Sequence, residues 1–242
     1  MVVFAGGFLG GFVSGLAGFG TGLTALPIWL LSIPPIIAGP LVVICAIATH
    51  AQTLPFIWRS IQWRRLAPFL VSALFGIPLG TFLLQYFSVD IFRLAIGFLL
   101  IVYSSVMLIK RRTPWTIKGS RIGNALIGFS GGVLGGLAGL SGVLPTLWIN
   151  LHNWDKPTKR SFFQGFNLVI MMITAVLMWL AQYLTFEVFQ LAIVALPGTM
   201  IGAWLGRRTY ANLSDVRFDL AILLIFFLSG LLIIAFWTKS LF

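Results

Sequence analysis

The chain is poor in charge, and poorest in acid. Of its 242 residues only five are Asp or Glu, and charged residues of all kinds make up 9%, against about 25% in a soluble domain. That scarcity excludes a water-facing helical bundle, because no segment offers solvent a polar face. Asp90, Asp155, Glu187, Asp215 and Asp219 all fall in short turns or at the ends of apolar runs. A carboxylate proton relay or sodium cage at mid-membrane depth therefore has no residues to build it. The single cysteine, Cys45, lies inside an apolar run, so the chain cannot form an internal disulfide. No G-x-x-x-x-G-K-[ST] loop occurs, which excludes ATP-driven work by this chain alone. Nothing implies a metal or another cofactor. Met1-Val2-Val3-Phe4 carries no basic n-region, so a cleaved signal peptide is not expected.

Apolar residues are abundant. They make up 59% of the chain, and the mean hydropathy is +1.03. Long apolar runs separated by short charged ones read as an all-α polytopic membrane protein whose surroundings are the lipid bilayer. The formal charge of +11 is confined to short loops between those runs. That is the pattern of cytoplasmic loops and gives no reason to expect a nucleic-acid partner.

One stretch occurs twice. The first copy reads Gly10-Gly11-Phe12-Val13-Ser14-Gly15-Leu16-Ala17-Gly18 and continues Phe19-Gly20-Thr21-Gly22 to Pro27 and Trp29. The second reads Gly131-Gly132-Val133-Leu134-Gly135-Gly136-Leu137-Ala138-Gly139 and continues Leu140-Ser141-Gly142 to Pro145 and Trp148. A glycine costs a helix roughly 1 kcal/mol against Ala, so each copy reads as an apolar segment broken near its middle. Such breaks at matching positions in two halves point to a transporter site built from discontinuous helices. The first repeat covers 1–112, with a glycine-rich hairpin over 3–32 and helices over 36–57, 66–87 and 91–109. A basic linker over 113–121 follows. The second repeat covers 122–242, with a hairpin over 122–149 and helices over 161–184, 188–205 and 218–237. Gly76 and Gly80 match Gly198 and Gly202 as close-packing faces.

The basic residues decide the topology. If each glycine-rich segment crossed the membrane, eight crossings would divide the 16 Lys and Arg residues nearly evenly between the two sides. If each is instead a re-entrant hairpin of about ten residues per arm, each half has three crossings and the halves are inverted repeats. All of Arg59, Arg64, Arg65, Lys110, Arg111, Arg112, Lys118, Arg121, Lys156, Lys159, Arg160, Arg207, Arg208 and Arg217 then share one side, and only Arg93 and Lys239 face the other. The positive-inside rule selects this second arrangement and puts both termini outside.

The hairpin tips are the first candidate site. Gly18, Gly20, Thr21 and Gly22 in one, and Gly139, Ser141 and Gly142 in the other, leave backbone N–H groups approachable where a half-helix begins. Helix N-termini bind anions. No Lys or Arg lies deep in a span to compete for that role. The alternative is that these glycines only let helices pack closely. His50 is the one titratable polar group well inside a span. It reads either as a hydrogen-bonded helix contact or as a ligand and protonation switch. Thr49, Gln52, Thr53, Gln164 and Asn167 share its depth and together suggest a polar vestibule, with His50, Gln52 and Asn167 as the cytoplasmic approach to the tips. A catalytic reading also exists. Gly139-Leu140-Ser141-Gly142 resembles the Gly-x-Ser-Gly of rhomboid-type intramembrane serine proteases for four residues, but such an enzyme needs a His beside the Ser. His50 lies in the other half and His152 in a loop.

Two glycine-rich hairpins with a downstream Pro, the run Arg160-Ser161-Phe162-Phe163-x-x-Phe166-Asn167, and a chain of this length resemble the sulfite exporter TauE/SafE family. The resemblance implies a non-enzymatic secondary transporter or facilitator in the cytoplasmic membrane of a bacterium. It would export a small anion such as sulfite, thiosulfate or a sulfonate. The family's hairpin positions map onto Gly18, Gly20, Gly22 and Pro27, and onto Gly139, Ser141, Gly142 and Pro145. A channel is the alternative within the membrane class, and a homodimer is the one protein partner the class leaves open.

Overall fold

The computed structural model describes residues 1–112, 116, 119–152, 154–210 and, in the last span, 220, 223–224, 226–228, 230–231 and 234–235. The described residues form helices and connecting turns, with no strand among them. In chain order the helices are α1 (Val2–Ala17), α2 (Thr21–Trp29), α3 (Pro35–Ile57), α4 (Trp63–Leu83), α5 (Val89–Arg112), α6 (Arg121–Ala138), α7 (Val143–Asn150), α8 (Lys156–Leu180) and α9 (Phe186–Tyr210). Five of them (α3, α4, α5, α8 and α9) are long and apolar enough to cross a membrane. The sixth expected span, 218–237, is described only at the helical residues named above. Most of the linker over 113–121 lies outside the described residues, with Asp215, Arg217, Asp219 and Lys239.

Helix α8 starts at Lys156, ahead of the helix expected from 161. Asp155 caps it: its Oδ2 accepts the Thr158 amide at 3.1 Å, and Pro157 fits the first turn, where a missing N–H costs nothing. Hydrogen bonds from Thr158, side chain first and then backbone, pull the Asp155 carboxyl below the usual carboxylate range.

Small residues decide which helices meet. Gly7, Gly11 and Gly15 on α1 lie against Ala195, Thr199 and Ala203 of α9, with no room for a Cβ. Gly202 and Gly206 of α9 lie against Phe8 and Phe12 of α1. The second half mirrors this: Gly128, Gly132 and Gly136 of α6 meet Phe69, Ala73 and Ile77 of α4, while Gly76 and Gly80 of α4 meet Phe129 and Val133 of α6. Each glycine-rich helix therefore packs on a spanning helix of the opposite half. By contact, Gly76 corresponds to Gly202 and Gly80 to Gly206, one turn further along than the alignment with Gly198 and Gly202. Both pairs are parallel, because successive contacts advance together along the two helices.

The chain then folds back twice. Trp29, at the end of α2, donates from Nε1 to the carbonyl of Val3 at the start of α1, at 3.1 Å. Trp148, at the end of α7, donates to Asn124 Oδ1 near the start of α6, at 2.8 Å. The arms are unequal. The outgoing helices run 16 and 18 residues, and the returning ones nine and eight, or about 12–14 Å, too short to cross a bilayer core of about 30 Å. The outgoing arms exceed the expected ten residues because their glycine faces keep contact with α9 and α4 along most of their length.

At one end of the bundle the basic loops are neighbours. Arg207 lies over the Phe56 ring at 4.0 Å, Arg65 over Trp154 at 4.9 Å, and Gly119 beside His152. Helix α3 packs against α1, α2, α6, α8 and α9 and so lies at the centre. The outer faces of α4 and α9 expose Phe75, Phe82, Phe186 and Ile193, as an exterior facing lipid does.

Candidate functional site

The two breaks meet at the middle of the bundle. Gly18 at φ 82° ends α1, and Gly20 at φ 103° precedes Thr21, the first residue of α2. Both torsions lie in the left-handed region that favours glycine. The Gly20 carbonyl accepts both the amide and the hydroxyl of Thr24, each at 3.1 Å, while the amides of Thr21, Gly22 and Leu23 precede any helical acceptor. At the other break Gly139, at φ 66°, donates to Gly135 O at 2.9 Å, and Leu140 donates to Leu134 O at 3.1 Å. The turn then passes through Ser141 and Gly142 into α7.

Between them lies a narrow cleft. Its wall takes Phe19, Gly20, Thr21, Gly22 and Leu23 from the first break and Gly139, Leu140, Ser141, Gly142 and Val143 from the second. Ala46 and His50 of α3 and Asn167 and Met171 of α8 complete it. Ala46 stands halfway along α3, so the cleft is near mid-height. Eight of the ten candidate residues share this wall. Gly18 and Gln52 do not: Gly18 lies behind the tip, against Arg160 and Gln164. His50 and Asn167, expected on the approach to the tips, stand on the wall beside them, because α3 and α8 flank both breaks.

The two sides of the cleft are bonded differently. Thr21 and His50 are 2% and 3% exposed, yet Thr21 Oγ1 and His50 Nδ1 have no hydrogen-bond partner among the described residues. Ser141 Oγ, in contrast, donates to Asn167 Oδ1 at 2.5 Å. His50 and Ser141 thus line one cleft although they belong to opposite halves, but the Ser141 hydroxyl is engaged by Asn167 and has no His partner.

Among the described residues no Lys, Arg, Asp or Glu lies on the wall. Two arginines and a histidine stand at the helix ends instead. Arg93 Nε donates to Leu30 O at the end of α2, at 2.9 Å. An Arg160 guanidinium nitrogen donates to Gly15 O in the last turn of α1, also at 2.9 Å. The His152 ring meets Trp148 O in α7 at 2.7 Å. Each sits where a helix carries its partial negative charge, so the positive ends of α2 and α7 face the cleft with no acidic side chain to offset them. These terminal partners, and the walls supplied by Ala46 and Met171, escaped sequence reasoning. A basic residue next to a turn gives no hint of which helix end it reaches. Among the described residues no three His, Cys, Asp or Glu side chains gather to hold a metal ion.

No match was found among curated proteins or among solved structures. A family profile described as Sulfite exporter TauE/SafE matches residues 3–233, taking in both glycine-rich copies and all five described spans. This multi-pass membrane protein therefore belongs to the sulfite exporter TauE/SafE family.

Proposed function

We propose that the protein is a secondary transporter or facilitator that exports a small sulfur-containing or organic anion (sulfite, thiosulfate or a sulfonate) across a bacterial cytoplasmic membrane. The observation that carries this reading is the mid-height cleft where the N-termini of α2 and α7 converge on a wall that, among the described residues, has no charged side chain and leaves Thr21 Oγ1 and His50 Nδ1 without partners. Family membership supports it. Two helix N-termini of roughly half a charge each offer an anion a positive field weak enough to release it. The membrane potential, at about 2.3 kcal/mol per charge per 100 mV, favours efflux of an anion without any ion-coupling site.

In this reading α1–α2 and α6–α7 are re-entrant hairpins of two inverted repeats, with the basic loops in the cytoplasm and both termini outside. The half-length α2 and α7, the exchange of partners between halves and the gathering of basic loops at one end support it. Cysteines placed singly at Ser88 and Ser120 test the orientation, since the native Cys45 is buried. Ser88 should label from outside and Ser120 from the cytoplasm; the reverse would overturn the topology. In proteoliposomes, sulfite or thiosulfate flux should saturate and show counterflow. Non-saturating currents of channel size would assign a channel instead.

A further inference from the structure

Behind the cleft, on its basic side, lies a second polar position. Gln164 of α8 is 1% exposed, and neither its Oε1 nor its Nε2 has a hydrogen-bond partner among the described residues. A carboxamide left without either bond in an apolar interior is among the costliest groups a fold can keep, and such groups call for an explanation. Its position offers one. A Cβ at Gly18 would sit 3.4 Å from Gln164 Cγ and 3.6 Å from its Nε2, so the amide lies against the bare backbone of the first tip. Ser14 Oγ, one turn earlier on α1, is likewise buried without a partner. Arg160, Gln164 and Asn167 are spaced by four and three residues on α8 and so share a face. Asn167 is on the cleft wall, and the Arg160 side chain lies beside Gly18, its Cγ 3.3 Å from where a Cβ would be. The α8 face therefore leads from the cleft, past an unsatisfied amide, to a guanidinium near the loop end.

We propose that Gln164 forms a second, transient station for the transported anion, between the cleft and the Arg160 end of α8. The occupant is a small oxyanion, accepting from Nε2. One that carries a proton, such as hydrogen sulfite, also donates to Oε1. The station rests on the anion-transport reading of the cleft, but differs from the cleft in what its loss does: it acts on the rate of passage and leaves equilibrium binding alone.

Gln164→Leu tests this, with Gln164→Met as an unbranched variant of similar length should Leu fold poorly. Both remove the orphaned donor and acceptor, so the thermal midpoint should hold or rise. The maximal rate of sulfite flux in proteoliposomes should fall about tenfold, one hydrogen bond's worth. Sulfite affinity, measured by titration of the purified protein, should stay within about twofold. An unchanged rate overturns the station. A lower thermal midpoint in both variants assigns Gln164 a structural partner and overturns it too. An affinity loss equal to the rate loss merges Gln164 with the cleft and ends the case for a separate station. Absence of saturable anion flux in the unaltered protein would remove the transport reading itself, and the station with it.

Discussion

The two chain breaks begin from nearly the same residues and end as different devices. The first passes from α1 to α2 through two left-handed glycines, Gly18 and Gly20, and presents a threonine hydroxyl without a hydrogen-bond partner among the described residues. The second has one left-handed glycine, Gly139. Its Gly142 lies at φ −78°, and its serine hydroxyl is held by Asn167. The prolines differ as well. Pro145 is the third residue of α7, where its missing N–H has no helical acceptor to lose, whereas Pro27 is the seventh of α2 and leaves the Leu23 carbonyl without its usual bond. The second break is braced against α8, and the first is left with open hydrogen-bonding capacity. A cleft with one fixed and one open side can orient a ligand by the first and bind it with the second.

The largest effect that separates them should come from the glycines. Gly20→Ala must hold a left-handed torsion with its Cβ 3.0 Å from Val13 Cγ1, and should lose about 2 kcal/mol or more of stability. Gly142→Ala keeps an ordinary torsion, but its Cβ would stand 2.8 Å from the Asn167 carboxamide, so its loss should come through the Ser141–Asn167 bond and vanish in an Asn167→Leu background, where that of Gly20→Ala persists. Equal losses in thermal unfolding in that background would erase the distinction. For the same reason neither glycine is a clean probe of anion binding, and a side chain such as Thr21 serves better.

Next comes the brace. Asn167→Leu strands the Ser141 hydroxyl and should cost about 1–3 kcal/mol. Adding Ser141→Ala should recover part of that loss, as coupled partners do. Additive losses in the double variant would mean that the bond between them contributes nothing.

Thr21→Val should move the other way. It deletes a hydroxyl without a partner, so stability should hold to within about 0.5 kcal/mol, while sulfite affinity falls about tenfold. Unaltered affinity, read by titration, would shift the anion to the braced side.

The smallest effect lies outside the cleft, at the start of α8. The Asp155 carboxyl is depressed by its Thr158 hydrogen bonds, so its contribution is present above the unfolded carboxylate pKa of about 3.9 and is lost as pH falls through the lower folded value. Asp155→Ala should melt slightly below the unaltered protein at neutral pH, and the gap should close on acidification. A gap that persisted at about pH 2 would show that the cap works through something other than charge.

The sequence alone determined the class, the five described spans and the location of the two breaks, because each depends on local chemistry. Apolar runs, short basic loops and glycine clusters are legible without a partner. The breaks also named most of the cleft, since a helix N-terminus exposes its amides wherever it falls. The tertiary structure decided the rest. The α4–α9 correspondence moved by one turn, because the pairing depends on which carbonyls the glycines reach across two helices. His50 and Asn167 joined the tips, Gln52 did not, and Gly18 left the wall, because packing sets which face of a helix looks inward. Only the fold could show that Ser141 has a partner and Thr21 has none among the described residues: both are hydroxyls at a glycine break, and what separates them is a carboxamide 26 residues away from Ser141 in the chain, carried there by α8.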